Sequence, residues 1–127
     1  MTGQNWQVLI VEDEPDSMEL LGGLLGHHGI TFFAAKSAEE ALSMLPNLSP
    51  TLILIDLSLP GKNGWELLQI LRDDQAYSQI PRVAVTAYHT AELAEHAIEA
   101  GFNAYFAKPI TANTFVNELK AVMADIN

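Results

Sequence analysis

The stretch Leu52-Ile53-Leu54-Ile55-Asp56 decides the fold of this chain, because four apolar residues run directly into one carboxylate. The run is short, and Leu57-Ser58-Leu59-Pro60-Gly61 follows it. A short apolar run bounded by Pro and Gly is typical of a strand that is buried on both faces of a parallel sheet. Asp56 is therefore predicted at the carboxyl end of a central strand, which is where open α/β sheets bind their ligands.

Five short apolar runs of this kind alternate with five amphipathic stretches along the chain. The predicted strands are Val8–Val11, Thr31–Ala35, Leu52–Ile55, Val83–Val85 and Ala104–Phe106. Strands that alternate with helices form parallel sheets covered by helices on both faces, with right-handed crossovers. The fold class predicted from the residues is α/β, a doubly wound sheet of five parallel strands.

Polar residues and glycine mark where several of the helices begin and end. Ser37-Ala38-Glu39-Glu40 has the pattern of a capping box and predicts the start of the second helix. Thr90 and Thr111 are predicted to cap the fourth and fifth helices, and Gly29 is predicted to end the first.

Composition excludes several classes of function. The chain has 127 residues, of which 49% are hydrophobic and 17% charged, so it has the composition of a globular protein. It contains no cysteine, which excludes disulfides, thiolate metal sites and thiol catalysis. The net charge of -10 repels phosphate backbones, so we expect no direct binding of nucleic acid.

Length and hydropathy predict one domain that is not held in a membrane. We expect a single domain over residues 1–127, with its core at about 7–126 and no effector domain, because the fifth predicted helix uses up the chain. No apolar run approaches the roughly 18 residues needed to span a bilayer. Met1–Asn5 lacks the basic and apolar segments of a secretion signal. A cytoplasmic location is the expectation.

Reactive side chains stand at four of the predicted strand ends: Glu12 and Asp13, Asp56, Thr86, and Lys108. Because these ends share one edge of a parallel sheet, the side chains are expected to converge. Three carboxylates without a nearby Cys or His suit Mg²⁺ or Mn²⁺. A lysine and a hydroxyl beside a metal fit the oxygens of a phosphoryl group, and a carboxylate is itself able to act as the nucleophile.

The motifs together resemble a known family, the response-regulator receiver domain of two-component signalling, of the CheY type. The resemblance covers about residues 7–126. It implies a flavodoxin-like sheet with strand order 2-1-3-4-5. The motifs that carry it are Glu12-Asp13, Asp56 followed by Leu59-Pro60 and Gly64, Thr86-Ala87, Tyr105, and Lys108-Pro109.

The resemblance implies a phosphoacceptor. Asp56 would accept a phosphoryl group from a sensor histidine kinase or a histidine phosphotransfer protein. Glu12, Asp13 and Asp56 would hold Mg²⁺ together with the backbone carbonyl of Ser58, and Lys108 would pair with the phosphoryl group. Phosphotransfer and autodephosphorylation would be self-catalysed, so the chain is not expected to be an enzyme that acts on a separate substrate.

The resemblance also implies a conformational switch. Thr86, with Ala87 beside it, would move toward the phosphoryl group, and Tyr105 would follow from an exposed to a buried position. A protein-binding surface formed by the fourth helix, the fifth strand and the fifth helix would then change for a downstream target, whose identity the sequence leaves open. The Lys108–Pro109 peptide bond is predicted to be cis.

Two further positions are expected to tune the lifetime of the aspartyl phosphate. Ser58 lies two residues after the acceptor, and Tyr88 lies two residues after Thr86. In this family such side chains flank the path of the attacking water. The sequence does not tell whether Tyr88 lengthens or shortens the lifetime.

Two alternatives remain open at this point. A small phosphatase of the haloacid-dehalogenase type also uses an Asp at a strand end, but it requires a second Asp two residues later, where this chain has Ser58. A pseudo-receiver would share the fold without being phosphorylated. The joint presence of the acids, Thr86 and Lys108 favours a phosphorylated receiver.

Overall fold

The computed structural model describes residues 5–126, so residues 1–4 and 127 of the predicted 1–127 domain lie outside the described residues. Strands and helices alternate along the chain. The elements are β1 (Gln7–Val11), α1 (Pro15–His27), β2 (Thr31–Ala35), α2 (Ala38–Met44) with a 3₁₀ turn (Leu45–Asn47), β3 (Leu52–Asp56), α3 (Gly64–Asp73), β4 (Arg82–Thr86), α4 (Ala91–Ala100), β5 (Ala104–Ala107) and α5 (Phe115–Ile126).

All five strands are parallel and lie in the order β2-β1-β3-β4-β5, which is the order that the resemblance implies. The register pairs Asp56 with Val85 and Thr86 with Ala107. The carboxyl ends of β3, β4 and β5 therefore meet at one edge of the sheet, beside the end of β1.

Helices cover both faces of the sheet, as predicted. Alternate residues of a strand point to opposite faces, so Leu9 and Ile53 belong to one core while Val8 and Leu52 belong to the other. Helices α2, α3 and α4 pack on the first face, and α1 and α5 pack on the second. Central strand β3 is buried along its whole length, which explains why it reads as an uninterrupted apolar run.

Most strands extend beyond the apolar runs that predicted them. Arg82 precedes the predicted start of the fourth strand, but it pairs with Ile53 in the ladder, and its Nε donates to the carbonyl of Gly101 at 3.3 Å. Strand pairing is made by the backbone, so polar residues join a strand wherever a neighbouring strand continues beside them.

The predicted helix caps are partly confirmed. Thr90 accepts a hydrogen bond from the Leu93 N–H and caps α4. Gly29 has a positive φ of 71° and follows His28, the C-cap of α1, as predicted for the residue that ends this helix. The Thr111 prediction is wrong about where the helix starts, because α5 begins only at Phe115 and turns occupy residues 112–114.

The capping box predicted at Ser37 is only half formed. Ser37 Oγ accepts from the Glu40 N–H at 3.0 Å, but the Glu40 carboxylate accepts from the Lys36 N–H rather than from the Ser37 N–H. A complete capping box occurs instead at α3, where Asn63 and Glu66 each accept from the other's N–H. In the described part of the chain, no helix combines the length and the hydropathy needed to cross a membrane.

Candidate functional site

Three acidic residues meet at the carboxyl edge of the sheet. Glu12 and Asp13 directly follow β1, and Asp56 is the last residue of β3. One carboxylate oxygen of each lies within 4.8 Å of the others. Glu12 is 1% exposed and Asp56 is 5% exposed, whereas Asp13 is open to solvent. The convergence expected from the strand ends is therefore present in the structure.

Lys108 reaches this cluster from the end of β5. Its Nζ lies 2.8 Å from Glu12 Oε1, 3.4 Å from Asp56 Oδ2 and 3.8 Å from Glu14 Oε1. The Lys108–Pro109 peptide bond is cis, in agreement with the sequence prediction. One lysine thus faces two buried carboxylates and one that is exposed.

The pKa values of Glu12 and Lys108 are both raised, for different reasons. Burial raises the pKa of Glu12 from 4.5 to about 7, although Lys108 opposes the shift. Burial alone would lower the pKa of Lys108, but the adjacent carboxylates of Glu12 and Asp56 outweigh it and raise this pKa above its usual value. The cluster thus contains three carboxyl groups and one lysine, and a single positive charge does not balance three carboxylates.

The donor set of the cluster fits a small hard cation. All of its ligand atoms are carboxylate oxygens, the type that Mg²⁺ and Mn²⁺ prefer. Among the described residues, Glu12 Oε1 is a buried oxygen that accepts no aligned hydrogen bond, even with Lys108 Nζ close by. A buried oxygen with spare acceptor capacity is expected beside a metal position.

The Asp56 side chain is oriented by the loop that follows it. Its Oδ1 accepts a hydrogen bond from the Ser58 N–H at 3.0 Å. Gly64, at the start of α3, packs so closely that a Cβ there would lie 2.6 Å from the Asp56 carbonyl oxygen. The carboxylate opens into a cleft of about 250 Å³, which is lined by Asp13, Glu14, Asp56, Ser58, Ala87, Tyr88 and Lys108.

Thr86 and Tyr105 are connected through the backbone of Tyr88. Thr86 is fully buried, and its Oγ1 accepts from the Tyr88 N–H at 3.2 Å. The Tyr105 hydroxyl donates to the Tyr88 carbonyl oxygen at 2.5 Å, and the Tyr105 ring lies 5.6 Å from that of His89. Tyr105 is half-buried, and the Tyr88 side chain is 69% exposed. The residues implied as a switch are thus linked through the backbone N–H and C=O of one residue, Tyr88.

Sequence reasoning missed three contributors to the site. Glu14 lines the cleft and faces Lys108, and its position directly after Glu12-Asp13 was the available signal. The pattern Asn63-Gly64-Trp65-Glu66 has the spacing of the capping box that holds the start of α3. Glu39 contacts the loop after Asp56, and no local pattern indicates this contact.

Comparisons with known proteins agree with the geometry. The family model of the response regulator receiver domain matches residues 8–120. The chain is 35% identical over 118 residues to the polar-differentiation response regulator DivK of Brucella ovis, which covers 93% of this chain and 96% of that protein. It is 36% identical over 103 residues to an uncharacterized 14.6 kDa protein of Leptolyngbya boryana, which covers 81% and 79%.

A solved structure is similar over nearly the full length. The crystal structure of a putative response regulator from Chloroflexus aurantiacus superimposes with a TM-score of 0.87 at 30% identity, and the match covers 94% of this chain and 98% of that one. The family model spans most of the chain, and the sheet order is that of the family. The chain therefore belongs to the response-regulator receiver domains of two-component signalling.

Proposed function

We propose that the chain is a phosphorylation-dependent switch whose phosphoacceptor is Asp56. The phosphoryl donor is a phosphohistidine of a sensor histidine kinase or a histidine phosphotransfer protein. Mg²⁺ or Mn²⁺ is held by Glu12, Asp13, Asp56 and the backbone carbonyl of Ser58. The observation that carries the proposal is the cluster of three carboxylates at the sheet edge, with Lys108 in contact with two of them.

The transfer is a displacement at phosphorus. An oxygen of the Asp56 carboxylate forms the new P–O bond, the P–N bond breaks, and its electron pair returns to the histidine ring. Lys108 Nζ, 3.4 Å from Asp56 Oδ2, offsets negative charge on the phosphoryl oxygens. A cation held by Glu12, Asp13 and Asp56 would neutralise more of that charge. The chain is thus a phosphoacceptor that assists its own phosphorylation and autodephosphorylation, rather than an enzyme with a separate substrate.

The switch depends on the hydrogen bonds around Tyr88. When the Thr86 hydroxyl turns toward a phosphoryl group, with Ala87 moving beside it, the bond from the Tyr88 N–H is lost. Displacement of the Tyr88 backbone then releases Tyr105, whose hydroxyl is bound to the Tyr88 carbonyl. Tyr105 turns inward, and the surface of α4, β5 and α5 changes for a downstream protein. This coupling supplies the differential contacts that a two-state switch requires.

Ser58 and Tyr88 tune the lifetime of the aspartyl phosphate in this proposal. Both line the cleft onto which Asp56 opens. Because the Tyr88 side chain is 69% exposed, it leaves the cleft accessible to water in the state described here. A rearrangement of Tyr88 during the switch would therefore change the access of water to the phosphoryl group.

An apolar cleft adjoining the phosphoacceptor cleft suits the donor protein. It measures about 400 Å³, lies between α1 and the β5–α5 connection, and shares Glu14, Ala87 and Lys108 with the first cleft. Leu20 at its border is 41% exposed. Apolar surface rimmed by charged groups is typical of protein contact sites. A donor bound there would lie next to Asp56.

Phosphorylation of the intact chain by acetyl phosphate or phosphoramidate tests the assignment. We expect a mass gain of one phosphoryl group in the presence of Mg²⁺, its loss with chelator, and its absence in Asp56→Asn. Asp125→Asn, the same change at an exposed position on α5, is the control and should be labelled like wild type. Labelling of Asp56→Asn to the wild-type level would refute Asp56 as acceptor, and no labelling of wild type would favour the pseudo-receiver.

Beryllofluoride, a mimic of an acyl phosphate, tests the switch. We expect shifts of amide NMR signals over residues 88–99 and at Tyr105, beyond the immediate neighbours of Asp56. Shifts confined to the residues adjacent to Asp56 would show that the proposed coupling through Tyr88 does not exist.

A further inference from the structure

The loop after the phosphoacceptor is held on its inner side by the core. It spans residues 57–63 between Asp56 and α3. Leu57 and Leu59 are buried, and the Gly64 N–H donates to the Leu57 carbonyl oxygen at 3.2 Å, which closes the loop at its base. Ser58 lies between these two anchors and is exposed. The outer part of the loop, Pro60–Lys62, is also exposed, so the core does not hold it.

A carboxylate from another helix holds this outer part. Glu39, in the first turn of α2, accepts a hydrogen bond from the Lys62 N–H through Oε2 at 3.2 Å. Gly61 has a φ of 68°, and a Cβ there would lie 3.1 Å from the same Glu39 oxygen. The loop therefore turns closely around the carboxylate, in a conformation that favours glycine. The contact joins two elements that are 23 residues apart in sequence.

We propose that Glu39 is a positioning residue for the phosphoacceptor loop. Its carboxylate fixes the turn at Gly61 and Lys62, and through the loop it orients Ser58, whose N–H binds Asp56 Oδ1. This inference deepens the proposed function, on which it rests, because Ser58 is also the residue whose carbonyl is proposed to bind Mg²⁺. Groups that orient metal ligands strongly affect metal affinity, so Glu39 sets the affinity of the site without touching it.

The test compares three substitutions in the full chain. Glu39→Ala removes the acceptor, whereas Glu39→Gln removes the same charge but keeps an oxygen acceptor. Glu92→Ala is the matched control, because Glu92 occupies the same helix position, two residues after the threonine cap of α4, and lines a surface groove formed only by residues 90–99. Two readouts are followed by NMR: hydrogen exchange of the Lys62 amide without metal, and the Mg²⁺ dissociation constant from titration of the Ser58 amide signal.

We expect Glu39→Ala to speed exchange of the Lys62 amide and to weaken Mg²⁺ binding about 3- to 10-fold, the effect of one lost hydrogen bond at a solvent-exposed site. The melting temperature should fall only by the few degrees that the loss of one hydrogen bond produces, which separates positioning from a general loss of stability. Glu39→Gln and Glu92→Ala should behave like wild type in both readouts.

Unchanged Lys62 exchange in Glu39→Ala would overturn the proposal, and so would equal Mg²⁺ affinity in Glu39→Ala and wild type. Equal weakening in Glu39→Gln or Glu92→Ala would also overturn it, because net charge alone would then explain the effect. If wild type itself fails to bind Mg²⁺ while Lys62 exchange still responds only to Glu39→Ala, the loop contact stands and the proposed metal function is wrong.

Discussion

Glu12 should make the metal-free protein less stable as the pH rises through neutrality. The side chain is buried beside Asp56, and burial raises its pKa from 4.5 to about 7. The folded state therefore binds a proton that the unfolded state has already released over this interval. Stability falls with rising pH wherever the folded state binds more protons. The contribution of protonated Glu12 to the free energy of unfolding is fully present below about pH 4.5 and is lost as the pH rises through about 7.

The size of this change in stability follows from the pKa shift of Glu12. Each pH unit over which the folded state holds one extra proton changes the free energy of unfolding by about 1.4 kcal/mol. Between pH 4.5 and 7 this amounts to roughly 3 to 4 kcal/mol. That is a large part of the roughly 5–15 kcal/mol stability of a typical domain.

Urea unfolding in the presence of a chelator measures this dependence. The free energy of unfolding is determined at several pH values between about 4.5 and 7.5 for wild type and for Glu12→Gln, which cannot titrate. Glu14→Gln is the control, because the Glu14 side chain is 65% exposed but lies in the same loop. The difference between wild type and Glu12→Gln isolates the contribution of Glu12 from those of the four histidines.

We expect the fall in the free energy of unfolding with rising pH to become smaller in Glu12→Gln, because the Glu12 contribution is lost, and to stay at the wild-type value in Glu14→Gln. Millimolar Mg²⁺ should also restore stability at pH 7.5, because a ligand that binds only the folded state stabilises it. A wild-type slope in Glu12→Gln would refute the argument, since burial of this carboxylate would then not be the cause.

Substitutions at three further positions have predictable effects on stability, each measured as the free energy of unfolding in urea. Gly64→Ala should cost about 1–3 kcal/mol, because the added Cβ would lie 2.6 Å from the Asp56 carbonyl oxygen, and a value near zero would show that α3 shifts freely. Thr90→Ala should cost about 1 kcal/mol and Thr90→Ser much less, and equal losses would contradict a capping role. Tyr105→Phe should cost about 0.5–1.5 kcal/mol through the lost bond to the Tyr88 carbonyl, and an unchanged midpoint would show that this bond does not stabilise the fold.

The strands and the edge where the acids meet could be predicted from the sequence because both follow from local patterns. The apolar run at Leu52–Ile55 is buried on both faces, and a carboxylate directly after it must lie at the strand end. The caps at Ser37 and Thr90 were identifiable for the same reason, since a cap bonds to N–H groups two or three residues away. Thr111 carried the same local signal, yet α5 begins at Phe115, which shows that a capping residue does not by itself start a helix.

By itself, the sequence determined the fold class and the edge of the sheet at which the carboxylates of Glu12, Asp13 and Asp56 lie. The strand order came from resemblance to a family rather than from the residues, and the order of the sheet in the structure agrees with it. Only the tertiary structure decided that Lys108 lies closer to Glu12 than to Asp56, and that Glu39 contacts the backbone of Lys62. Periodicity and capping involve residues a few positions apart, whereas these contacts join residues 23 to 96 positions apart, whose distances depend on how packed elements lie against one another.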